Sequence, residues 1–207
     1  MTPDDDDALL RAWQDGDKLA GDTLIKRHFS LVFRFLRPRA GQQTADLVQR
    51  SFLALAQAKG SIPAGVPVRA YLLGIARNQL LMTQRGDARR ANVMSPGTAS
   101  GPDGGPTPSG AAAMREEQRV LLQGLRLLPL EMQLAIELFY WEGLSRDEIA
   151  TVLDVEPNTI KSRLQRAKDR LRALLPTLDP VTGSVTAADL DRWAASLRGV
   201  AELDDTR

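Results

Sequence analysis

The sequence predicts an all-α protein: two small helical domains joined by a flexible Gly/Pro-rich linker, the second a four-helix unit with a helix-turn-helix. Three observations carry this. Apolar residues recur at three- and four-residue spacing through both halves of the chain, and no segment keeps the alternation of a half-buried strand. Ser95 to Gly110 (SPGTASGPDGGPTPSG) breaks that periodicity with Gly, Pro and Ser. It holds too little apolar surface to offset its ordering entropy. Gly143 to Leu175 then combine helix-start and turn signals with a second helix rich in Lys and Arg. The expected divisions are a helical domain over 6–90, a linker over 91–114, the helix-turn-helix domain over 115–175 and an extension over 176–207.

Four helices are expected in the first domain. One runs from about Asp6 to Leu19, offering Leu9, Leu10, Trp13 and Leu19 to a core. The next spans Asp22 to about Arg37, with Leu24, Ile25, Phe29, Val32, Phe35 and Leu36 on its apolar side, and Pro38 as its stop. The third covers about Thr44 to Ala58, with Leu47, Val48, Phe52 and Leu55 inward. After a Gly/Pro loop, Lys59 to Pro67, the fourth runs from about Val68 to Arg85 on Leu72, Ile75, Ala76 and Leu80. In the second domain, Val120, Leu121, Leu125 and Leu128 predict a helix ending before Pro129, and Glu131 to Trp141 predict another.

The helix-turn-helix follows. Ser145 and Glu148 have the spacing of a capping box, in which the Ser hydroxyl accepts from the Glu amide and the Glu carboxylate accepts from the Ser amide. Ile149, Ala150 and Leu153 fall on one face. Asp154 stands at the turn, where a left-handed backbone is needed and Asp tolerates it. Pro157 suits the first position of a helix, since its missing N–H would be unpaired there. From there Ile160, Leu164, Ala167 and Leu171 make one apolar stripe. Asn158, Thr159, Ser162, Gln165 and Arg166 point away from it, as base-edge contacts in a major groove require. Lys161, Arg163 and Lys168 flank it, where cations hold phosphates. Such a helix reads duplex DNA.

Composition narrows the alternatives. The chain has 207 residues, 43% hydrophobic but only 5% aromatic, so its cores are built on Leu, Ala, Val and Ile. With no Cys, disulfides, thiolate metal sites and a Cys nucleophile are excluded. The one His, His28, makes a His-rich metal site or a catalytic triad improbable and is expected at the surface or boundary of its helix. No cofactor, metal or enzymatic constellation is expected. Net charge is only +1; the cations gather between Lys26 and Arg39, Arg85 and Arg90, and Lys161 and Arg172, while Asp4 to Asp7 open the chain with an acidic run. There is no signal pattern and no apolar run of membrane-spanning length, so a cytoplasmic protein is expected.

Two stretches of the first domain become informative beside the helix-turn-helix. They are DLVQRSF, Asp46 to Phe52, and RAYLLGIARN, Arg69 to Asn78. With Leu128-Pro129, EGLSRDEIA and NTIKSRLQRAKDRLRALL in this order, the chain resembles the extracytoplasmic-function (ECF) class of bacterial RNA polymerase sigma factors. The resemblance spans roughly Ala8 to Arg90 and Arg119 to Leu175. It implies a protein that binds core RNA polymerase and directs promoter-specific initiation. The DLVQ-type helix would dock on polymerase through Asp46, Gln49, Arg50 and Phe52; the family usually has Glu where this chain has Arg50. The RAYLLGIARN helix would hold the melted minus-10 element through Arg69, Tyr71, Arg77 and Asn78, with Lys59 from the preceding loop. Tyr71 stands where the family usually has Trp, and Met82 where it often has an acid. The helix-turn-helix would read the minus-35 element as duplex, with Asp154 where Gly is frequent and Glu156 where a hydroxyl residue is frequent.

The resemblance also implies promoter DNA and core polymerase as partners, an anti-sigma factor as a further candidate, and a monomer when free. The competing reading is a stand-alone helix-turn-helix regulator whose N-terminal domain senses or dimerises. The extension lies outside the resemblance. There Thr186 and Asp189 suggest the start of a short helix carrying Leu190, Trp193 and Leu197, which is too short to stand alone.

Overall fold

The computed structural model describes residues 3–94 and 116–178. They form eight α-helices and two short 3-10 turns, with no strand among the described residues. They fall into two compact units. The expected linker lies largely outside the described residues, and so does the short helix expected around Thr186 to Leu197.

The first unit holds α1 (Pro3–Gln14), α2 (Lys18–Ala40), α3 (Thr44–Ala58) and α4 (Val68–Met94). The longest, α2 and α4, pack together, with α3 across both and α1 laid on α2. The core is the aliphatic one that the composition implies: Leu24, Leu36, Leu47, Leu55, Leu72, Leu73 and Leu80 are fully buried. Each such side chain contributes about 1.5–3 kcal/mol of transfer free energy.

Three expected boundaries are corrected. The first helix stops at Gln14, not Leu19, because Gly16 takes φ 106° and Asp17 caps a new helix, its carboxylate accepting from the amides of Leu19 and Ala20 at 2.9 and 3.2 Å. Leu19 therefore starts α2 and is 76% exposed. Pro38 does not end α2, which continues to Ala40; in the last turn a proline removes a single backbone bond, and the helix tolerates that. The fourth helix passes Arg85 and reaches Met94, so residues 91–94, expected in the linker, are helical. Phe29, expected inside, is 48% exposed and stacks on Phe33 and Phe52 at 6.1 and 6.4 Å.

His28 is not a surface residue. It is only 3% exposed, and its Nε2 lies 2.8 Å from the Asp6 carboxylate of α1. Arg27 pairs with both Asp5 and Asp6, at 2.8 and 2.7 Å, so part of the opening acidic run docks α1. At the other end of α1, Trp13 lies on Gly21 of α2 so closely that a Cβ there would meet its indole nitrogen at 2.5 Å. Leu9, Leu10 and Trp13 complete the contact against Leu24, Ile62 and Val68.

The second unit holds α5 (Glu116–Arg126), α6 (Leu130–Tyr140), α7 (Arg146–Leu153) and α8 (Pro157–Leu178). The long α8 is its spine and touches the other three. Its stripe Ile160, Leu164, Ala167, Leu171 and Leu175 is buried, as the spacing predicts. The helix runs past Pro176 to Leu178.

Candidate nucleic-acid interface

The local signals of the helix-turn-helix fold as their chemistry requires. The Glu148 amide donates to the Ser145 hydroxyl at 3.2 Å, and the Ser145 amide donates to the Glu148 carboxylate at 2.8 Å. This box starts α7. Asp154 closes it in the left-handed region, φ 53° and ψ 55°, while the Val155 amide returns to the Ala150 carbonyl at 3.1 Å. Pro157 opens α8, and the amide of Thr159 donates to the Glu156 carbonyl at 2.9 Å. The turn thus aims the N-terminal half of α8 outward.

On that half, Asn158, Lys161, Ser162, Gln165 and Arg166 are exposed; Thr159 and Lys168 are half-buried. Ser162 donates to the Thr159 carbonyl at 3.0 Å, and the Arg166 guanidinium curls back onto the Ser162 carbonyl and hydroxyl at 3.3 and 3.4 Å. Gln165 donates to Asp169 at 3.1 Å. Lys161 and Lys168 form no ion pair among the described residues. Arg163 differs from the other cations. Its side chain is 16% exposed and pairs with Glu131 of α6 at 3.2 Å, so it faces the domain rather than the groove side.

In the first unit, Asp46, Gln49 and Arg50 are exposed together on α3. Arg50 grips Asp46 through two contacts, at 2.8 and 3.1 Å. Phe52 is buried and supports Phe29 from below.

The five residues expected on melted DNA do not share one face. Tyr71 and Asn78, seven residues apart on α4, lie nearly in line on the helix, half-buried and exposed respectively. Arg69 lies on the opposite side from Tyr71, near enough to His28 for its charge to disfavour the imidazolium. Lys59 is occupied elsewhere: its ammonium donates to the Trp13 carbonyl at 2.5 Å and lies 5.2 Å from the centre of the Trp13 ring. Lys59 and Arg69 thus belong to the α1 side of the unit, and Arg77 is half-buried.

Among the described residues no group of three potential metal ligands exists, and no helix is long and apolar enough to cross a membrane. The family model for sigma-70 region 4 matches residues 118–171. Over 158 residues the chain is 31% identical to the ECF RNA polymerase sigma factor SigL of Mycobacterium tuberculosis, covering 75% of this chain and 88% of that one. The chain belongs to the ECF RNA polymerase sigma factors. SigM of the same organism is 31% identical over 176 residues, covering 84% of this chain and 86% of that protein. The sigma-H factor of Pseudomonas aeruginosa is 27% identical over 191 residues, covering 86% and 98%.

Two solved structures show the same fold: CnrH bound to the cytosolic domain of CnrY, with TM-score 0.57, 21% identity and coverage of 84% of this chain and 98% of that one, and RpoE bound to the anti-sigma factor NepR from Bartonella quintana, with TM-score 0.55, 22% identity and coverage of 76% and 94%.

Sequence reasoning missed two features of this sigma factor. One is the clasp of Trp13, Gly21 and Lys59; Gly21 falls between the two helices expected there, and only the structure places it inside α2. The other is a cleft of about 410 Å³ beside α8, in which Phe139 and Tyr140 of α6 and Arg146 of α7 join Lys161, Leu164 and Lys168. Its residues are distant in sequence, and no spacing rule joins them.

Proposed function

We propose that this sigma factor recognises its promoters with two separate surfaces. The exposed N-terminal half of α8 reads the minus-35 element as duplex, through Asn158, Thr159, Ser162, Gln165 and Arg166 at base edges and Lys161 and Lys168 on phosphates. In the first unit, Tyr71 and Asn78, with Arg77 beside them, hold the melted minus-10 strand, the Tyr71 ring offering a sequence-tolerant stacking platform. The exposed Asp46, Gln49 and Arg50 dock core polymerase. Promoter DNA and core polymerase are thus the partners, an anti-sigma factor is a regulator of the kind seen with RpoE, and the protein is cytoplasmic, monomeric when free and without catalytic activity. The two domains are those read from the sequence, 6–90 and 115–175 about a linker, with the first extended to the end of α4 at Met94 and the second to the end of α8 at Leu178.

The observation that carries this reading is the outward aim of α8. A capping box and a left-handed Asp154 present a polar, cationic helix face whose opposite stripe is buried. Two weak DNA contacts on one tether gain affinity through effective concentration, so neither needs to be strong alone.

Reconstitution tests the reading. Core polymerase with the wild-type chain gives transcripts starting at defined promoters, and Lys161→Ala with Ser162→Ala lowers them. Absence of core binding and of any promoter-dependent transcript would refute it.

A further inference from the structure

Lys59 carries a charge that the family resemblance gives to melted DNA, yet its surroundings give it other work. It stands where α3 ends and the chain enters the Gly/Pro loop that leads to α4. Two hydrogen bonds cross there in opposite senses. The Lys59 ammonium donates to the Trp13 carbonyl at 2.5 Å, and the Gln14 side-chain amide donates to the Lys59 carbonyl at 2.5 Å. Both acceptors lie at the C-terminal end of a helix, where carbonyls look outside the helix for partners and a cation is favoured. The ammonium also lies 5.2 Å from the centre of the Trp13 ring, within cation–π reach.

The tie continues along the loop. Ile62 packs with Leu9 and Trp13 against the cluster of Leu10, Leu24 and Val68. Val68 opens α4 and is only 1% exposed. The residues between, Gly60, Ser61, Pro63, Ala64 and Gly65, are exposed. The loop is thus held at Lys59, at Ile62 and at its far end by Val68, each time against α1. Its last residue is Pro67, whose carbonyl accepts from the amides of Ala70 and Tyr71 at 3.0 and 3.1 Å. Tyr71 therefore sits in the first turn of α4, directly after the loop. Farther along, Leu72, Leu73, Ala76 and Leu80 bury α4 in the core that it shares with α2 and α3.

We infer that Lys59 is a positioning residue: by tying the loop to the C-terminal end of α1, it sets how the chain enters α4 and so where the Tyr71 ring meets the melted strand. The inference rests on the stacking role proposed for Tyr71. Trp13 and Gln14 are the counterparts of Lys59 on α1. The Lys59 charge is spent inside the protein, on a carbonyl and a ring, and holds no phosphate.

The test uses the full chain assembled with core polymerase, as wild type, Lys59→Met, Lys59→Arg and Gln14→Met, each with and without Tyr71→Ala. Affinity is measured at several salt concentrations for a promoter duplex premelted over the minus-10 region. Lys59→Met keeps the stem and loses the donor; binding is expected to be about threefold to tenfold weaker, the range of one hydrogen bond, with the salt slope unchanged. Lys59→Arg can still donate to the Trp13 carbonyl and should restore most of the affinity. Gln14→Met changes no charge and should weaken binding as Lys59→Met does. Beside Tyr71→Ala these losses should disappear, because residues that act through one another are not additive. A slope lower by about 0.7 in Lys59→Met makes it a phosphate ligand on the single strand and overturns the inference. So does an unchanged affinity in Lys59→Met, and so does a loss that persists in full beside Tyr71→Ala, which is what a tie serving stability alone would give. If Tyr71→Ala by itself binds like wild type, the stacking role fails first and the inference falls with it.

Discussion

Arg163 and Lys161 stand two residues apart on a helix proposed to lie on DNA, yet the structure gives them different work. Arg163→Met keeps the aliphatic stem and removes the charge that pairs with Glu131 at 3.2 Å. At an effective dielectric near 20, charges about 4 Å apart attract by about 4 kcal/mol. Desolvation of the guanidinium, only 16% exposed, cancels most of that gain. Glu131 is about a third exposed, so water rehydrates it once the pair is lost. The net cost is about 1 kcal/mol, between a surface and a buried pair. In a unit of about 60 residues this lowers Tm by about 4–8 °C. Lys161→Met leaves Tm unchanged and lowers the slope of log K against log salt by about 0.9, one phosphate contact. Thermal melting of the full chain and promoter-duplex binding of the polymerase-bound form at several salt concentrations separate the two. If Arg163→Met melts like wild type and loses the same salt slope as Lys161→Met, Arg163 is a phosphate ligand and its assignment to the domain interior is wrong.

Ser145→Ala removes half of the capping box and should cost the second unit about 1 kcal/mol, measured as a shift of its denaturant midpoint. Gly21→Ala places a methyl 2.5 Å from the Trp13 indole nitrogen, so α1 must shift; a loss of about 1–3 kcal/mol in the first unit is expected, with Trp13 fluorescence moving to the red. Burial pushes His28 below its ordinary value of 6.5, against the opposing pull of Asp6. The unfolded chain therefore takes up this proton at higher pH than the folded chain does. The stabilising contribution is complete above pH 6.5 and declines as pH falls from there toward the folded value. Urea titrations between pH 5 and 8 should show this slope, and His28→Gln should flatten it. Arg50→Glu replaces the exposed Asp46 pair with a like-charge pair at the same spacing, costing about 0.5 kcal/mol of stability. Under the proposed docking role it strengthens core polymerase binding in a pull-down, because it supplies the acid usual in the family.

What the sequence made legible was local. Ser145 with Glu148, Asp154 and Pro157 each act within a turn or two of themselves, and each behaves in the structure as its own chemistry dictates. The buried stripes of α3 and α8 were legible for the same reason, since helical spacing alone selects them. Long-range partners were not legible. His28 is buried because Asp6, 22 residues earlier, reaches its ring. Lys59 is withdrawn by Trp13, 46 residues away, and Arg163 by Glu131 across two helices. The break before α2 was itself written locally: Gly16 and Asp17 announce a new start, and Leu19, six residues past Trp13, falls off the apolar face of α1. Pro38 misled in the opposite direction, since the rule that proline stops a helix weakens in the last turn. Among the proposed DNA contacts, a helical wheel places Arg69 and Tyr71 on different faces of α4, a constraint that motif reading passes over.

In the proposed complex α8 lies on upstream duplex while Tyr71 and Asn78 face melted DNA. The chain has no cysteine, so one introduced thiol carries one crosslinker. Asn158→Cys and Asn78→Cys, each labelled with a photoactivatable probe and assembled with core polymerase on a promoter, report the two positions in the open complex. Crosslinks are expected from position 158 to duplex near minus 35 and from position 78 to the unpaired strand near minus 10. Crosslinks from position 158 to the melted region, or from position 78 to upstream duplex, would contradict it.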